Sequence, residues 1–145
     1  MWFNKKDQHA LFFDCRKECK PDIIGDYKHL EAFKDEQFYL IVFDPNFRRE
    51  KDGYPSDRFE LCYGKLLPET WQSDFRLAFK ELWRVLKPYG VLVFKWNTHK
   101  IKLKEVLNCF PIKPKFGQRT TGSKGRKETK TYWFCFMKIP DNELK

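Results

Sequence analysis

The sequence predicts an α/β fold with a mostly parallel open sheet and an antiparallel hairpin at one edge. Two observations favour this fold: short apolar runs typical of strands alternate with stretches in which apolar residues recur at helical spacing. The 145 residues fit one domain, predicted to span residues 1–145. A hydrophobic content of 41% and an aromatic content of 18% provide a core and exclude a disordered tail.

Three apolar runs are each followed by an acidic residue at the predicted carboxyl end of a strand. The longest run, Phe38–Phe43, is typical of a parallel strand covered on both faces. Pro45 stops it, because proline cannot donate to a sheet ladder. In open α/β sheets, ligands bind beyond the carboxyl ends of the strands. The acidic residues expected along such a rim are Asp14, Asp26 and Asp44.

A helix is predicted over Pro68–Leu86, where apolar residues form one stripe and proline suits the first turn. A strand over Val91–Phe94 follows and brings Lys95–Asn97 to the rim, where Trp96 is a candidate for stacking on a ligand. A shorter helix over Ile101–Phe110 comes next. This alternation of strands and helices is the order of a Rossmann-like sheet.

A basic, glycine-containing loop precedes the last predicted strand, Tyr132–Met137, and is expected to form a hairpin with it at the edge of the sheet. Positive side chains among small residues suit contact with phosphates. The alternative is a solvated hairpin tip. The candidate nucleic-acid contacts in this loop are Arg119, Lys124, Arg126 and Lys127.

The net charge of +9 makes an anionic partner plausible, and nucleic acid is the leading candidate. The alternative is a lysine-rich surface that only confers solubility. Five irregularly spaced cysteines favour a reducing cytoplasm over a disulfide framework, and they predict no metal site. No apolar run is long enough to cross a membrane, so we expect a cytoplasmic protein without a membrane partner.

The segment Glu81–Phe94 resembles class I S-adenosylmethionine (SAM) methyltransferases. In that family a helix runs into an arginine, two apolar residues, lysine, proline and two glycines before a strand. Here Tyr89 stands in place of the first glycine. Asp26–Phe47 resembles the family's third and fourth motifs, and the likeness is best over Asp22–Asn97. The layout is also similar to short methyltransferase-like proteins of phages and prophages.

The loop Asp44-Pro45-Asn46-Phe47 is similar to the Asp-Pro-Pro-aromatic loop of amino methyltransferases. The resemblance implies a catalytic site in which the Asp44 carboxylate and the Pro45 carbonyl accept hydrogen bonds from an exocyclic amine. Phe47 would stack on a base held out of its helix. Asn46 replaces a proline, so the loop loses one fixed φ angle. The alternative is a capped strand end with Phe47 in the core.

SAM is the cofactor that the resemblance implies. Asp14 would hold the ribose hydroxyls and Asp26 the adenine amino group, with Tyr27 and Asp44 in the same cofactor-binding set. The alternative is that these acids are exposed strand ends without a ligand.

The family's glycine-rich turn has no counterpart here, because no glycine precedes Gly25 and only thirteen residues precede Asp14. We therefore expect a domain truncated at its amino terminus. Either a partner chain completes the cofactor site, or the domain no longer binds SAM. Three hypotheses follow: a SAM-dependent methyltransferase acting on the exocyclic amine of a nucleic-acid base, an inactive methyltransferase-like module that binds nucleic acid, and an accessory subunit.

Overall fold

The computed structural model describes residues 4, 6–48, 65–120 and 130–143, with the side chains of residues 119 and 120 excepted. This part of the chain contains six strands, two α-helices and two short 3-10 helices, at Lys17–Cys19 and Asp141–Glu143. In chain order the strands and α-helices are β1 (Phe13–Asp14), β2 (Ile23–Ile24), β3 (Phe38–Phe43), α1 (Trp71–Val85), β4 (Leu86–Asn97), α2 (Leu103–Leu107), β5 (Phe116–Thr120) and β6 (Thr131–Met137).

The main sheet has four strands in the order β3-β4-β6-β5. Only β3 and β4 pair in parallel, whereas β4 with β6 and β5 with β6 are antiparallel. Strands β1 and β2 form a separate two-stranded parallel sheet. The prediction of a Rossmann-like, mostly parallel open sheet is therefore wrong.

The connections explain this topology. A parallel pair needs a crossover of a dozen or more residues, usually a helix, and α1 provides one between β3 and β4. The chain after β4 passes through the five residues of α2 to the far edge of the sheet. It then returns as β6, which pairs antiparallel with both neighbours.

The junction between α1 and β4 is sharper than the sequence indicates. The helix ends at Val85, and Leu86 already has an extended backbone that begins a twelve-residue strand. Tyr89 has a φ of 62°, a left-handed conformation that favours glycine. At Gly90 a Cβ would lie 2.8 Å from a Leu86 side-chain atom, so the backbone there is packed as only glycine allows.

The core lies between one face of the main sheet and the two helices. Alternate residues of β4 and β6 point into it, and α1 contributes its apolar stripe. Phe75 is fully buried at the centre, with its ring in contact with Phe43, Phe94 and three further aromatic rings. The other buried members include Trp71, Phe79, Leu82, Leu92, Val106, Phe134 and Phe136.

Two expectations about exposure are wrong. Trp96 is only 1% exposed, stacks on Phe94 and donates its indole N–H to the carbonyl of Ile101, so it belongs to the core and not to the rim. Strand β3 is not covered on both faces, because Tyr39 is 72% and Leu40 is 53% exposed. In the described sheet β3 is an edge strand.

Among the described residues, neither helix combines the length and the apolar character that a membrane crossing requires.

Candidate functional site

The parallel pairing of β3 and β4 brings Asp44 beside Lys95. Phe43 pairs with Phe94, so the next residue of each strand lies at the same level of the sheet. The Lys95 ammonium donates to Asp44 Oδ2 at 2.9 Å, and both side chains are about one-third exposed. A charged pair is therefore held at the carboxyl ends of the two strands.

The antiparallel strands extend this arrangement across the sheet. Trp133 of β6 pairs with Lys95 on one side and with Gln118 of β5 on the other. The Lys95 ammonium lies 5.6 Å from the centre of the Trp133 ring, within range of a cation–π interaction. We call Asp44, Lys95, Trp133 and Gln118 the polar row. Sequence reasoning missed Trp133, because nothing in the chain alone specifies its register against β4.

The loop after β3 is fixed by its own side chains. The Asn46 side-chain oxygen accepts the backbone N–H of Arg48 at 3.0 Å, closing a short turn. This hydrogen bond restricts the loop backbone, as a proline at position 46 would do by fixing its φ angle. Pro45 is buried, and Phe47 is half buried and packed against the core. Of the four loop residues, Asp44 is the one with an exposed side chain.

The second acidic position, Asp26, lies just beyond β2. Its carboxylate accepts the backbone N–H of Lys28, and the Lys28 ammonium lies 3.4 Å from Asp26 and 3.6 Å from Asp74 of α1. The Asp26 side chain remains 44% exposed. Lys28 therefore ties this turn to α1 while leaving the Asp26 carboxylate accessible.

Tyr27 joins this turn to the end of β3. Its ring packs edge-on against Phe43, with the centroids 5.2 Å apart. Burial, reinforced by the charges of Asp26 and Asp74, raises the pKa of Tyr27 to about 12. The hydroxyl is therefore protonated at neutral pH and can donate a hydrogen bond.

Asp14 ends β1 and is engaged by Arg16. The guanidinium donates to Oδ1 at 2.9 Å and to Oδ2 at 2.7 Å, and the Arg16 backbone N–H also donates to Oδ1. These hydrogen bonds hold the pKa of Asp14 below its ordinary value. The adjacent Cys15 has a raised pKa, because it is partly desolvated and lies near the Asp14 charge. Its thiol is therefore a poor nucleophile at neutral pH.

This ion pair should make the stability of the fold depend on pH. Because the pKa of Asp14 is lower in the folded chain, its pairing stabilises the fold above about pH 4, and this stabilisation is lost as the pH falls through the lowered pKa. We expect the Arg16→Met variant to melt below the wild-type protein at neutral pH. The two melting temperatures should converge as the pH falls below 3.8 and through the lowered pKa of Asp14.

Thermal denaturation followed by circular dichroism over this pH range measures the effect. Arg76→Met, at an exposed arginine of α1, is the matched control and should show no such convergence. A difference between wild type and Arg16→Met that stays constant from neutral to acidic pH would contradict the assignment.

The predicted phosphate contacts are only partly within the described structure. Arg119 lies on β5, and its side chain is not described. Lys124, Arg126 and Lys127 lie outside the described residues. Within the described ranges, histidine, cysteine, aspartate and glutamate side chains nowhere form a group of three that could hold a metal ion.

No protein-family model matches the chain, and no curated protein matches it either.

Proposed function

We propose that this protein is a SAM-dependent methyltransferase that acts on an exocyclic amino group of a nucleic-acid base. The observation that carries the proposal is the contact between Tyr27 and Phe43, which joins the turn after β2 to the end of β3. One carries the exposed carboxylate of Asp26, and the other carries the exposed carboxylate of Asp44. A cofactor held at the first position would lie beside an acceptor of amine hydrogens at the second.

The residues present fit this division of roles. The Asp26 carboxylate is accessible and can accept from the adenine amino group of SAM, and Tyr27 can donate from its neutral hydroxyl. SAM, when bound, supplies the electrophilic methyl group. Asp14 fits the ribose hydroxyls less well, because Arg16 already engages both of its carboxylate oxygens.

The chemistry at Asp44 follows from the electronic structure of the substrate. An exocyclic amine is a weak nucleophile, because its lone pair is delocalised into the ring of the base. A carboxylate that accepts one of its hydrogens favours a more pyramidal and more nucleophilic nitrogen. Lys95 holds Asp44 Oδ2, so the carboxylate is oriented before the substrate arrives.

A second candidate function is an inactive, nucleic-acid-binding module or accessory subunit. The observation that favours it is the double contact from Arg16 to Asp14, which uses the acceptors that a ribose would need. A partner chain that completes the cofactor site would reconcile the two candidates. In both, nucleic acid is the proposed ligand and the cytoplasm the proposed location.

Calorimetric titration with SAM and with S-adenosylhomocysteine tests the proposal. We expect the wild-type chain to bind in the micromolar range, equivalent to about −8 kcal/mol. Asp26→Asn should lose most of this affinity, because one carboxylate oxygen is replaced by an NH2 group that cannot accept, and the remaining neutral oxygen is a weaker acceptor for the adenine amino group. Asp141→Asn removes an exposed carboxylate from another part of the surface and should bind like wild type.

The two candidates predict different results. Binding that Asp26→Asn abolishes and Asp141→Asn preserves supports the methyltransferase. Absence of binding to either ligand rules out a methyltransferase that works alone, and the binding module then becomes the better description.

A further inference from the structure

The segment between β4 and β5, residues 98–115, carries most of the excess positive charge of the described structure. It contains five lysines and one acidic residue, Glu105. The other described side chains are almost neutral as a group, with fifteen lysines and arginines against fourteen acidic residues. We call residues 98–115 the basic segment.

The core anchors the basic segment on both sides of α2. Trp96 donates its indole N–H to the carbonyl of Ile101 at 3.3 Å, and the Phe110 ring packs edge-on against Phe94, with the centroids 5.1 Å apart. Ile101, Val106 and Phe110 are buried. These apolar side chains fix the segment on the sheet, so its lysines are left on the solvent side.

Four lysines of the basic segment carry charges that the protein does not neutralise. Lys102, Lys104, Lys113 and Lys115 are all exposed. Among the described residues, no ion pair involves any of these four side chains. Lys95, by contrast, is paired with Asp44. The positive charge available to an anionic partner therefore lies on the basic segment.

The basic segment begins close to the polar row. Thr98 lies three residues after Lys95, and its backbone N–H donates to the carbonyl of Lys130 at 3.0 Å. Lys130 is exposed, so this contact brings a further lysine to the start of the segment. A nucleic acid whose base reaches Asp44 would therefore have positive charge beside its backbone.

We propose that the basic segment binds the phosphate backbone of nucleic acid, with Lys102, Lys104, Lys113 and Lys115 as the contacts. Lysine binds phosphate as a point charge, and contacts of this kind position a nucleic acid without reading its sequence. The inference rests on the proposed function in that it names the surface that holds the nucleic acid whose base is presented to Asp44.

Two other occupants fit this surface less well. A helix that binds a membrane inserts exposed apolar side chains into the lipid. In α2, however, Leu103 and Leu107 are half buried and Val106 is buried, so the helix has no exposed apolar side chain to insert. A second copy of the chain would bring like charges together, whereas a phosphate backbone is attracted.

Fluorescence anisotropy with a labelled single-stranded deoxyoligonucleotide of mixed sequence, over a range of salt concentrations and without SAM, tests this inference. The segment variant combines Lys102→Gln, Lys104→Gln, Lys113→Gln and Lys115→Gln. It should bind on the order of 10²-fold more weakly than wild type at about 0.1 M salt. The slope of log K against log salt should become shallower by about 3, since each phosphate contact on a single strand contributes about 0.7.

A matched control separates the position of the charges from their number. It removes four other exposed lysines that take part in no described ion pair, by Lys6→Gln, Lys17→Gln, Lys20→Gln and Lys34→Gln. Its net charge equals that of the segment variant, yet it should keep most of the wild-type affinity and salt slope.

Two further variants protect the test against a loss of folding. Changing the same four lysines of the basic segment to arginine keeps the charges and should retain binding. Glu105→Gln removes the one acidic side chain of the segment and should tighten binding, a gain that misfolding cannot produce.

Equal losses in the segment variant and in the matched control would overturn the inference, because the effect would then reflect net charge alone. No binding by the wild-type chain, or wild-type affinity in the segment variant, would overturn it as well. Vesicles of phosphatidylserine and phosphatidylcholine provide the remaining probe. If the wild-type chain binds these vesicles through the basic segment but does not bind the oligonucleotide, the inference is overturned in favour of a membrane.

The result is separable from the outcome of the SAM titration. A chain that binds SAM but does not bind the oligonucleotide through the basic segment contradicts this inference and leaves methyl transfer supported. A chain that binds the oligonucleotide through the basic segment but does not bind SAM supports this inference and removes the stand-alone methyltransferase.

Discussion

Replacing Asp44 with asparagine should lower the rate of methyl transfer to a single-stranded oligonucleotide on the order of 10²–10³-fold. The substitution keeps the size of the side chain but replaces the carboxylate with a neutral amide, whose oxygen is a weaker acceptor of the amine hydrogen. It also removes the charge that pairs with the Lys95 ammonium, which lies 2.9 Å from Asp44 Oδ2 in the wild-type protein. The extra positive charge should maintain or strengthen binding of the oligonucleotide.

Transfer of a radiolabelled methyl group, measured together with oligonucleotide anisotropy, separates these two effects. Asp35→Asn is the matched control, because Asp35 is a carboxylate paired with Arg84 at 2.7 Å in a different part of the molecule. Retained transfer in Asp44→Asn would show that the negative charge of Asp44 is not required, because the amide oxygen of asparagine can still accept a hydrogen bond. A loss of transfer of similar size in Asp35→Asn would show that the effect reports on stability instead.

The juxtaposition of Asp44 and Lys95 at the ends of two strands depends on local signals in the sequence. An apolar run that ends in Asp44-Pro45, a helix and a second apolar run together indicate a strand–helix–strand unit with parallel strands. This unit places the ends of β3 and β4 side by side, and Asp44 does lie beside Lys95. The helix is predicted to start at Pro68, three residues before its observed start at Trp71.

The part of the fold that the sequence does not predict depends on pairing between strands that are distant in the chain. The antiparallel insertion of β6 between β4 and β5 is specified by contacts across the sheet, and no local pattern reports it. The placement of Trp96 could have been predicted, however. Leu92, Phe94 and Trp96 alternate with Val93 and Lys95, and continuing this period of two past Phe94 places Trp96 on the buried face.

The exposure of β3 shows that an apolar run does not by itself predict a strand buried at the centre of a sheet. Six consecutive apolar residues are typical of a central strand, yet β3 lies at the edge of the described sheet with Tyr39 and Leu40 exposed. The Tyr39 ring is instead covered in part by the Lys87 ammonium, 3.9 Å from its centre. Edge strands more often carry charges or proline. The composition of an apolar run therefore does not distinguish an edge strand from a central strand of the sheet.

Replacing Phe75 with alanine should lower the free energy of unfolding by about 3–5 kcal/mol, a large share of the roughly 5–15 kcal/mol expected for a domain of this kind. Phe75 is fully buried and contacts rings from α1, β3, β4 and the segment after α2. These rings are large and belong to different elements, so they cannot all move to fill the space. The variant is expected to retain a cavity.

Chemical denaturation followed by circular dichroism measures this change, with Leu77→Ala as the control two residues along the same helix. Leu77 is 47% exposed, so its truncation should cost far less than that of Phe75. Similar losses in the two variants would contradict the assignment of Phe75 to the centre of the core.

The same substitution should also weaken the proposed cofactor site. Phe75 packs on Phe43, and Phe43 packs on Tyr27, so the cavity lies behind the contact that joins the Asp26 and Asp44 positions. We therefore expect Phe75→Ala to lose SAM affinity even at temperatures where it remains folded. Unchanged affinity in the folded variant would show that the Tyr27–Phe43 contact does not position the two carboxylates for a common ligand.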